Sequence, residues 1–365
     1  MAETDAYTAL AGRHGYPSSE RYRRILEFLM SPQQARLVAS LPMEPRDLAA
    51  QEGLSVEAVN AELDLLYRKG VVFPRNFATR EHYRFARTIM QLHDATESLD
   101  GLDDLYTGAE KKQLWSLWWD FVHNEWDADR MPAIAAAKAP PLRILPAWKS
   151  IKDIPGVLPS ESMPAIVEQA QLISVVSCSC RKRQESLGQP CRLSHDMNCI
   201  QFSRAAEYTQ SRGHGRMLSK EEALQLIEET EDHGLVHQWP NVSIMSTNTL
   251  CSCCDDCCVF LLPMSEHKVP WTTWYAKSRF EARNDLNTCD GCQDCIERCQ
   301  FDALSMEKIA GHKKLKAVVN PENCMGCGVC VLVCEPKSLV MEIVRPPEHI
   351  PHPSHYGAEA HSHAD

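Results

Sequence analysis

The sequence contains no long hydrophobic run. No apolar stretch approaches the roughly 20 residues that a membrane-spanning helix needs. The first residues, MAETDAYTALAGRHGYPSS, lack the basic start and apolar core of a secretion signal. We therefore expect a soluble cytoplasmic protein, either free or as the soluble partner of a membrane complex. Neither G-x-G-x-x-G after a strand nor a Walker loop is found, which argues against an intrinsic NAD(P)H or ATP reaction.

The N-terminal half lacks cysteine, because all 17 cysteines lie between Cys178 and Cys334. An odd number excludes complete disulfide pairing, and a reducing cytosol disfavours structural disulfides. The asymmetry predicts a cysteine-free half followed by a metal-rich half. Lys and Arg number 38 against 49 Asp and Glu, and the net charge of −11 argues against nonspecific nucleic-acid binding. The length of 365 residues suggests two or three domains.

Two similar cysteine runs lie near the C-terminus. Residues 289–299 read CDGCQDCIERC and residues 324–334 read CMGCGVCVLVC, so both follow C-x2-C-x2-C-x3-C. The similarity continues beyond the cysteines and indicates an internal duplication in which each half ends in a strand-like segment. The matching positions are Ala303/Ser338, Leu304/Leu339, Met306/Met341 and Glu307/Glu342.

This spacing suits a cubane iron–sulfur cluster, which needs four thiolates around a roughly spherical body. Three cysteines separated by two residues wrap one side, and in two-cluster proteins the fourth cysteine of each run ligates the other cluster. Zinc ribbons instead use two C-x2-C pairs. We expect one cluster at Cys289, Cys292, Cys295 and Cys334, and the other at Cys324, Cys327, Cys330 and Cys299.

Residues 278–345 resemble the bacterial-type 2[4Fe-4S] ferredoxin domain in the number and spacing of eight cysteines. The resemblance implies two [4Fe-4S] clusters that transfer electrons. The proline that usually follows the fourth cysteine is Gln300 in the first run, and it is displaced to Pro336 in the second. These departures alter the local turn but remove no ligand.

Nine further cysteines form a less regular set upstream. Two cubanes would use eight of them, while one cubane with a zinc ion, or one larger cluster, would also fit. Because adjacent side chains diverge, the neighbours Cys253 and Cys254 could serve two different clusters, or one of them could be a packing residue. A redox dithiol at Cys254 and Cys257 is a further alternative. The nine candidates are Cys178, Cys180, Cys191, Cys199, Cys251, Cys253, Cys254, Cys257 and Cys258.

Charged residues and histidines accompany these cysteines. The basic run from Arg181 to Arg183 could offset the negative charge of a thiolate-bound cluster, or form a solvated loop. His195 and His237 are candidate ligands or proton donors, and a structural, hydrogen-bonded histidine is the alternative for each.

Residues 140–345 resemble larger ferredoxin-like proteins of anaerobes, in which a cysteine-rich module precedes a two-cluster ferredoxin. The motifs that carry this resemblance are EQAQLISVVSCSCR, CSCCDDCC and KSRFEARNDLNTCDGC. It implies electron transfer to a redox enzyme.

Residues 20–90 resemble the winged-helix domains of bacterial regulators: two helices joined at Gly53 precede a segment entering a strand. The candidate reading helix carries Glu57, Glu62 and Asp64. Residues 1–100 hold 12 Lys and Arg and 14 Asp and Glu, a net of 12 − 14 = −2. Because groove binding needs cations around the phosphates, we expect a structural or docking role and no DNA binding.

Together these observations predict an α+β multidomain protein. We expect helix 111–126, which carries four tryptophans, to pack in the core or at an interface, with a proline-rich connector after it. The expected divisions are a winged-helix-like domain (1–105), the tryptophan helix and connector (106–165), a cysteine-rich α/β iron–sulfur module (166–277), a ferredoxin domain (278–345) and a disordered histidine-rich tail (346–365).

The favoured function is that of an electron-transfer protein or subunit of an oxidoreductase system, relaying single electrons through several [4Fe-4S] clusters to a catalytic partner. Two clusters are expected in the ferredoxin domain, and one or two in the middle module. The alternatives are a reductase whose middle cluster has a site not held by cysteine, and a redox-sensing DNA-binding regulator.

Overall fold

The computed structural model describes residues 5–137, 139–193, 197–245 and 247–353. They divide into two compact units. The first contains the chain up to Ala128 together with 182–190 and 207–215, and the second contains 129–181, 191–206 and the chain from Arg216 onward.

The first unit is mainly helical. Side chains of Ser or Thr cap several helix N-termini and so determine where those helices begin, as Ser55 does before α5. The elements are α1 (Ala6–Arg13), α2 (Glu20–Leu29), α3 (Pro32–Ala39), α4 (Pro45–Glu52), α5 (Val56–Arg68), β1 (Val72–Phe73), β2 (Arg84–Phe85), α6 (Ile89–Glu97) and α7 (Gly108–Phe121).

Helices α4 and α5 meet at Gly53, whose φ of 66° ends α4 in the left-handed region. Strands β1 and β2 then form an antiparallel hairpin that pairs Val72 with Phe85. The tryptophan helix runs from α7 into a π-helical turn, Val122–Trp126. Trp118 and Phe121 are fully buried and pack around Tyr22 of α2, so this helix belongs to the core of the first unit.

The second unit is built around a seven-stranded sheet with the strand order β6-β4-β5-β8-β7-β3-β9. All neighbours are antiparallel except β3 and β9. The elements of this part of the chain are α8 (Asp127–Ala135), β3 (Leu142–Leu145), α9 (Trp148–Ile151), α10 (Met163–Gln169), β4 (Ile173–Ser177), α11 (Ser179–Ser186), β5 (Met197–Phe202), α12 (Ser203–Arg212), β6 (Arg216–Met217), α13 (Lys220–Asp232), β7 (Val236–Pro240), β8 (Thr249–Cys253), α14 (Leu261–Glu266) and β9 (Tyr275–Ala276). Helices α8, α11 and α12 each contain residues assigned to both units.

Residues 142–145, which the proline-rich composition assigned to a connector, form strand β3 inside this sheet. The strand forms because Arg143, Ile144 and Leu145 are buried and pair with β7. The prolines lie in the loops on either side of it. Helices α10 and α13 cover one face of the sheet, where Ile166 and Ile227 pack with Trp239 of β7.

The C-terminal part of this unit has two small antiparallel sheets, β10 with β13 and β11 with β12. The repeated residues Leu304 and Leu339 begin β11 and β13, so the duplicated segments are both strands. The elements are β10 (Phe280–Asn284), α15 (Asp294–Arg298), β11 (Leu304–Glu307), β12 (Lys316–Val319) and β13 (Leu339–Ile343).

Part of the expected disordered tail is described. Residues 347–349 form a 3₁₀ turn, and His349 Nε2 lies 2.9 Å from the Lys277 carbonyl oxygen. The tail histidines His355, His361 and His363 lie outside the described residues. None of the helices in the described ranges is long and apolar enough to cross a bilayer.

Candidate functional site

Glycines shape both ferredoxin loops between their first and second cysteines. Gly326 has a φ of 73°, and a Cβ on it would lie 2.1 Å from Ser278 Oγ and 2.2 Å from the Phe280 carbonyl oxygen. Gly291, its counterpart in the first loop, would meet the Leu315 carbonyl oxygen at 2.5 Å. Only glycine therefore allows these loops to pass so close to the neighbouring backbone.

The first loop lines a small cavity. Its wall contains Cys289, Cys292 and Cys295 of the first run, together with Cys334 from the end of the second run. The structure therefore brings together the four cysteines that the spacing grouped for one cluster.

A second cavity is lined by Cys324, Cys327, Cys330 and Cys299. Here the fourth cysteine comes from the first run. Each cavity has four thiols on its wall, which is the ligand number of a cubane cluster held by cysteine alone.

The two cavities differ in exposure. Cys292 is the exposed member of the first cavity, whereas the first three cysteines of the second run, which line the second cavity, are buried. Burial raises the pKa of Cys330, and burial together with the nearby Cys292 raises the pKa of Cys295 to about 11. These thiols therefore keep their protons until a metal displaces them, so cluster assembly releases protons.

The sulfur of the fourth cysteine in each run also accepts hydrogen bonds. The backbone N–H of Ala303 donates to Cys299 Sγ at 3.3 Å, and that of Leu339 donates to Cys334 Sγ at 3.4 Å. The Ser338 hydroxyl also lies 3.3 Å from the Cys334 sulfur. N–H donors of this kind stabilise thiolate charge and raise a cluster's potential.

The middle cysteines come from four places in the second unit. Cys178 and Cys180 lie at the start of α11, and Cys191 lies in the loop beyond that helix. Strand pairing places Cys199 of β5 opposite Cys251 of β8. The remaining ones follow along β8 and the turn after it. Cys251 and Cys253 share one face of β8, because side chains alternate along a strand.

Five of these cysteines form what we call the strand set. Hydrogen bonds join their side chains in the order Cys199, Cys251, Cys253, Cys258 and Cys180. N–H groups surround the set. Gln201 Nε2 donates to Cys199 Sγ at 3.1 Å, and the backbone N–H of Val259 donates to Cys180 Sγ at 3.4 Å.

Three other cysteines form what we call the loop set. The Cys254 and Cys257 sulfurs lie 2.9 Å apart, and the Cys191 and Cys254 sulfurs lie 3.2 Å apart. Asp256 Oδ1 lies 3.2 Å from Cys191 Sγ. Hydrogen bonds with Cys254 and Cys257 lower the pKa of Cys191.

The division between the two sets falls between sequence neighbours. Cys253, at the end of β8, belongs to the strand set, and Cys254 belongs to the loop set. Cys178 hydrogen-bonds to Cys180 of the strand set. The structure therefore places the two vicinal cysteines in different sets.

Of the three basic residues after the CSC motif, Arg181 contacts the thiols of the loop set. Its Nε lies 3.4 Å from Cys191 Sγ, and its terminal nitrogen lies 3.5 Å from Cys254 Sγ. Lys182 pairs with Glu185 at 3.5 Å. Arg183 is buried in the first unit and pairs with Glu97 at 2.9 Å.

His237 has partners other than cysteine. Its Nδ1 lies 3.0 Å from the Ser252 hydroxyl, and its Nε2 lies 3.3 Å from a Glu231 carboxylate oxygen. His237 is almost fully buried in this arrangement, which is that of a structural histidine. The other candidate, His195, lies outside the described residues.

The sequence interpretation treated Asp256 only as a negative charge, but its carboxylate lies within the loop set. The sequence feature that could have indicated this role is the position of Asp256 between cysteines in CCDDCC, since carboxylates also bind metals.

Gln300 connects the ferredoxin repeat to the middle module. Its Nε2 donates to the Gly234 carbonyl oxygen at 2.6 Å and to the Cys253 carbonyl oxygen at 3.4 Å. Cys327 of the second cavity also shares an apolar cluster with Cys253 and Cys258. The strand set therefore lies close to the second cavity.

Comparison with known proteins identifies the C-terminal part. Residues 288–337 match the 4Fe-4S dicluster domain. The chain is 47% identical over 58 residues to the polyferredoxin protein MvhB of Methanothermus fervidus, covering 14% of each protein. It is 40% identical over 60 residues to the aliphatic sulfonate oxidoreductase polyferredoxin-like subunit of Pyrococcus furiosus, covering 16% of this chain and 32% of that one.

These matches cover only a minor part of either relative, between 14% and 32% of its length. Ferredoxin-3 of Nostoc sp. is 30% identical over 77 residues, which is 18% of this chain and 74% of Ferredoxin-3. No solved structure matches the chain significantly. The dicluster match shows that the protein binds iron–sulfur clusters, and the relatives support an electron-relay role. Through residues 288–337, the chain belongs to the 4Fe-4S dicluster ferredoxin family.

Proposed function

We propose that this protein is an electron-transfer subunit that relays single electrons to a catalytic partner within a larger oxidoreductase system. The observation that carries the proposal is the pair of cavities, each lined by four cysteines drawn from both repeats. Clusters held in them supply reversible one-electron transfer. Fully cysteine-ligated sites leave no open iron position for a substrate, which suits a relay better than a catalyst.

The spacing of the cavities supports electron transfer between them. Cys295, the second residue of α15, lines the first cavity, and Cys299, which follows the last residue of α15, lines the second. Four residues along a helix rise by about 6 Å. The ligands of both sites are thus held close together by a single helical turn.

We also propose that the strand set holds a third iron–sulfur cluster. It offers five thiols, which is enough for a cubane with one to spare, and N–H groups from Gln201 and Val259 stabilise their charge. Cys253 and Cys258 share an apolar cluster with Cys327, which supports a position near the second cavity. The three sites would then form a row that begins at the exposed Cys292.

The surface around Cys292 suggests how a partner docks. Asp290, Asp294 and Glu297 are exposed in the same loop and helix. A partner with a basic surface would be attracted to this acidic face, and the attraction would weaken with salt. We therefore propose that the redox partner binds at the first cavity.

For the first unit we propose a winged-helix-like arrangement that serves protein docking. Helix α5 would be the reading helix of such a domain, and Glu57 on it is exposed. Asp64 of the same helix accepts hydrogen bonds from Arg80 and Tyr83, both at 3.0 Å. Carboxylates at these positions would repel DNA phosphates.

The test uses the full-length protein purified without oxygen. We expect about eight irons from the ferredoxin repeats and about four more from the strand set, with matching acid-labile sulfide. EPR should show reducible clusters, and the reduced protein should pass electrons to a one-electron acceptor such as cytochrome c. Iron-free protein, or clusters that dithionite does not reduce, would refute the proposal.

A further inference from the structure

We propose that the loop set and Asp256 bind a single zinc ion rather than an iron–sulfur cluster. The ligand atoms of Cys191, Cys254, Asp256 and Cys257 all lie within 4.8 Å of one another. Among the described residues, this is the one group of three or more potential metal ligands that meets this limit. The inference does not depend on the electron-transfer function.

The compactness of the group separates the loop set from the strand set: neighbours along the strand set are hydrogen-bonded in a chain, but no three of its five described sulfurs all lie within 4.8 Å of one another. Thiolates on one tetrahedral zinc, with Zn–S bonds of about 2.3 Å, lie about 3.8 Å apart. The sulfur pairs of the loop set lie 2.9 and 3.2 Å apart, so they need to open by less than about 1 Å to accept zinc.

A cubane would require a much larger expansion, because its thiolates lie outside a cage of four irons and four sulfides. The ferredoxin repeats of the same chain show the difference. Their cysteines line two cavities, and among the described residues no three of them have sulfurs that all lie within 4.8 Å of one another. In the loop set, Cys254 and Cys257 instead pack with Leu235 and are almost completely buried. All three sulfurs of the loop set lie within 4.8 Å of one another, which suits a mononuclear site.

The carboxylate also favours zinc, which accepts oxygen ligands together with sulfur. The backbone N–H of Arg192 donates to Asp256 Oδ2 at 2.7 Å, and this bond directs Oδ1 towards Cys191. Outer contacts of this kind orient metal ligands. Three thiolates and a carboxylate around zinc leave a formal charge of about −2, and the Arg181 guanidinium lies against two of the sulfurs.

Such a zinc ion would have a structural role, since zinc does not change its oxidation state in proteins. It would tie the loop at Cys191 to the turn that contains Cys254 and Cys257. The strand-set residues Cys253 and Cys258 flank that turn in sequence. The ion would therefore fix the positions of two cysteines proposed to hold a cluster.

The test is metal analysis of full-length protein purified anaerobically from cells supplied with both iron and zinc. We expect about one zinc per chain in addition to iron. X-ray absorption at the zinc edge should show about three sulfurs near 2.3 Å and about one oxygen near 2.0 Å. Zinc content near zero, or a shell of four sulfurs, would overturn the inference.

Two matched variants locate the site. Asp256→Asn should release zinc to a colorimetric chelator at least about ten times faster than the unaltered protein. The control is Asp255→Asn, because Asp255 pairs with the Arg192 side chain and is not part of the group. Equal release rates from the two variants would contradict the assignment of Asp256.

A third variant removes a thiol. Cys257→Ser should lose the zinc and keep the eight or so irons of the ferredoxin repeats, whereas Cys292→Ser should keep the zinc and alter the iron. If the unaltered protein held no iron in its ferredoxin repeats, that result would count against the electron-transfer proposal alone. If the unaltered protein held no zinc, that result would count against this inference alone.

Discussion

Cys299 ends the first cysteine run but lines the same cavity as Cys324, which begins the second. Cys334 makes the reciprocal exchange and lines the first cavity. Each site is therefore completed by the other repeat. This interlocking means that neither repeat contains a complete four-thiol site on its own.

The exchange predicts which variants share a defect. Cys299→Ser and Cys324→Ser should perturb the same cluster, and Cys334→Ser and Cys289→Ser should perturb the other, because each pair lines one cavity. Each variant should lose up to about four irons. EPR of the reduced proteins, with iron analysis, would identify the affected signal. If Cys299→Ser instead altered the same EPR signal as Cys289→Ser, the exchange of fourth cysteines between the two repeats would be wrong.

Gly326→Ala should destabilise the second cavity. The added methyl would lie 2.1 Å from Ser278 Oγ and 2.2 Å from the Phe280 carbonyl oxygen, so the loop must move. We expect a cost of at least about 3 kcal/mol, in the range of severe steric and backbone defects. The measurement is the urea midpoint for loss of cluster absorbance.

Gly188→Ala is the matched control for this prediction. Gly188 also has a positive φ, of 80°, but a Cβ there would have nothing within 4 Å. Only the left-handed backbone penalty of about 1 to 2 kcal/mol applies. Similar urea midpoints for Gly326→Ala and Gly188→Ala would show that the close contacts at Gly326 do not affect stability.

Gln300→Leu should weaken the contact between the ferredoxin repeat and the middle module. It removes the donor to the Gly234 carbonyl oxygen, a buried acceptor at 2.6 Å, and the expected cost is about 1 to 3 kcal/mol. Iron content should be unchanged, because Gln300 is not a ligand. Chemical denaturation followed by circular dichroism measures the effect, and the exposed Gln225→Leu is the control. No loss of stability beyond that of the control would argue against the contact.

Arg181→Gln should weaken metal binding at the loop set. The guanidinium lies 3.4 and 3.5 Å from two sulfurs, and without it the negative charge of the site is less well balanced. Zinc release to a chelator should be about ten times faster. The neighbouring Lys182→Gln should leave the rate unchanged, since Lys182 pairs with Glu185.

Glu97→Gln should destabilise the first unit strongly. Glu97 and Arg183 form an ion pair whose side chains are 0% and 1% exposed, so the change leaves a buried guanidinium without its counter-charge. The expected cost is about 3 to 5 kcal/mol, measured by thermal or urea unfolding. Glu27→Gln, which breaks the exposed pair with Arg23, should cost about 0.5 kcal/mol or less.

The duplicated cysteine runs allowed the two ferredoxin sites to be predicted in detail. Their spacing is local, and the strands that begin at Leu304 and Leu339 follow from the same repeat. Strand β3 was not predicted, because the prolines on either side of it are typical of a connector. The burial of Ile144 depends on the pairing of β3 with β7, which the sequence does not show. Short strands inside a mixed sheet have little signal of their own.

The sequence by itself determined that this protein carries iron–sulfur clusters, because eight thiols at fixed spacing match one inorganic shape. It did not determine how the nine remaining cysteines divide. The pairing of β5 with β8, and the turn after Cys253, sort eight of them into a strand set and a loop set with Asp256. That division rests on contacts between residues far apart in the chain, and so only the tertiary structure decides it.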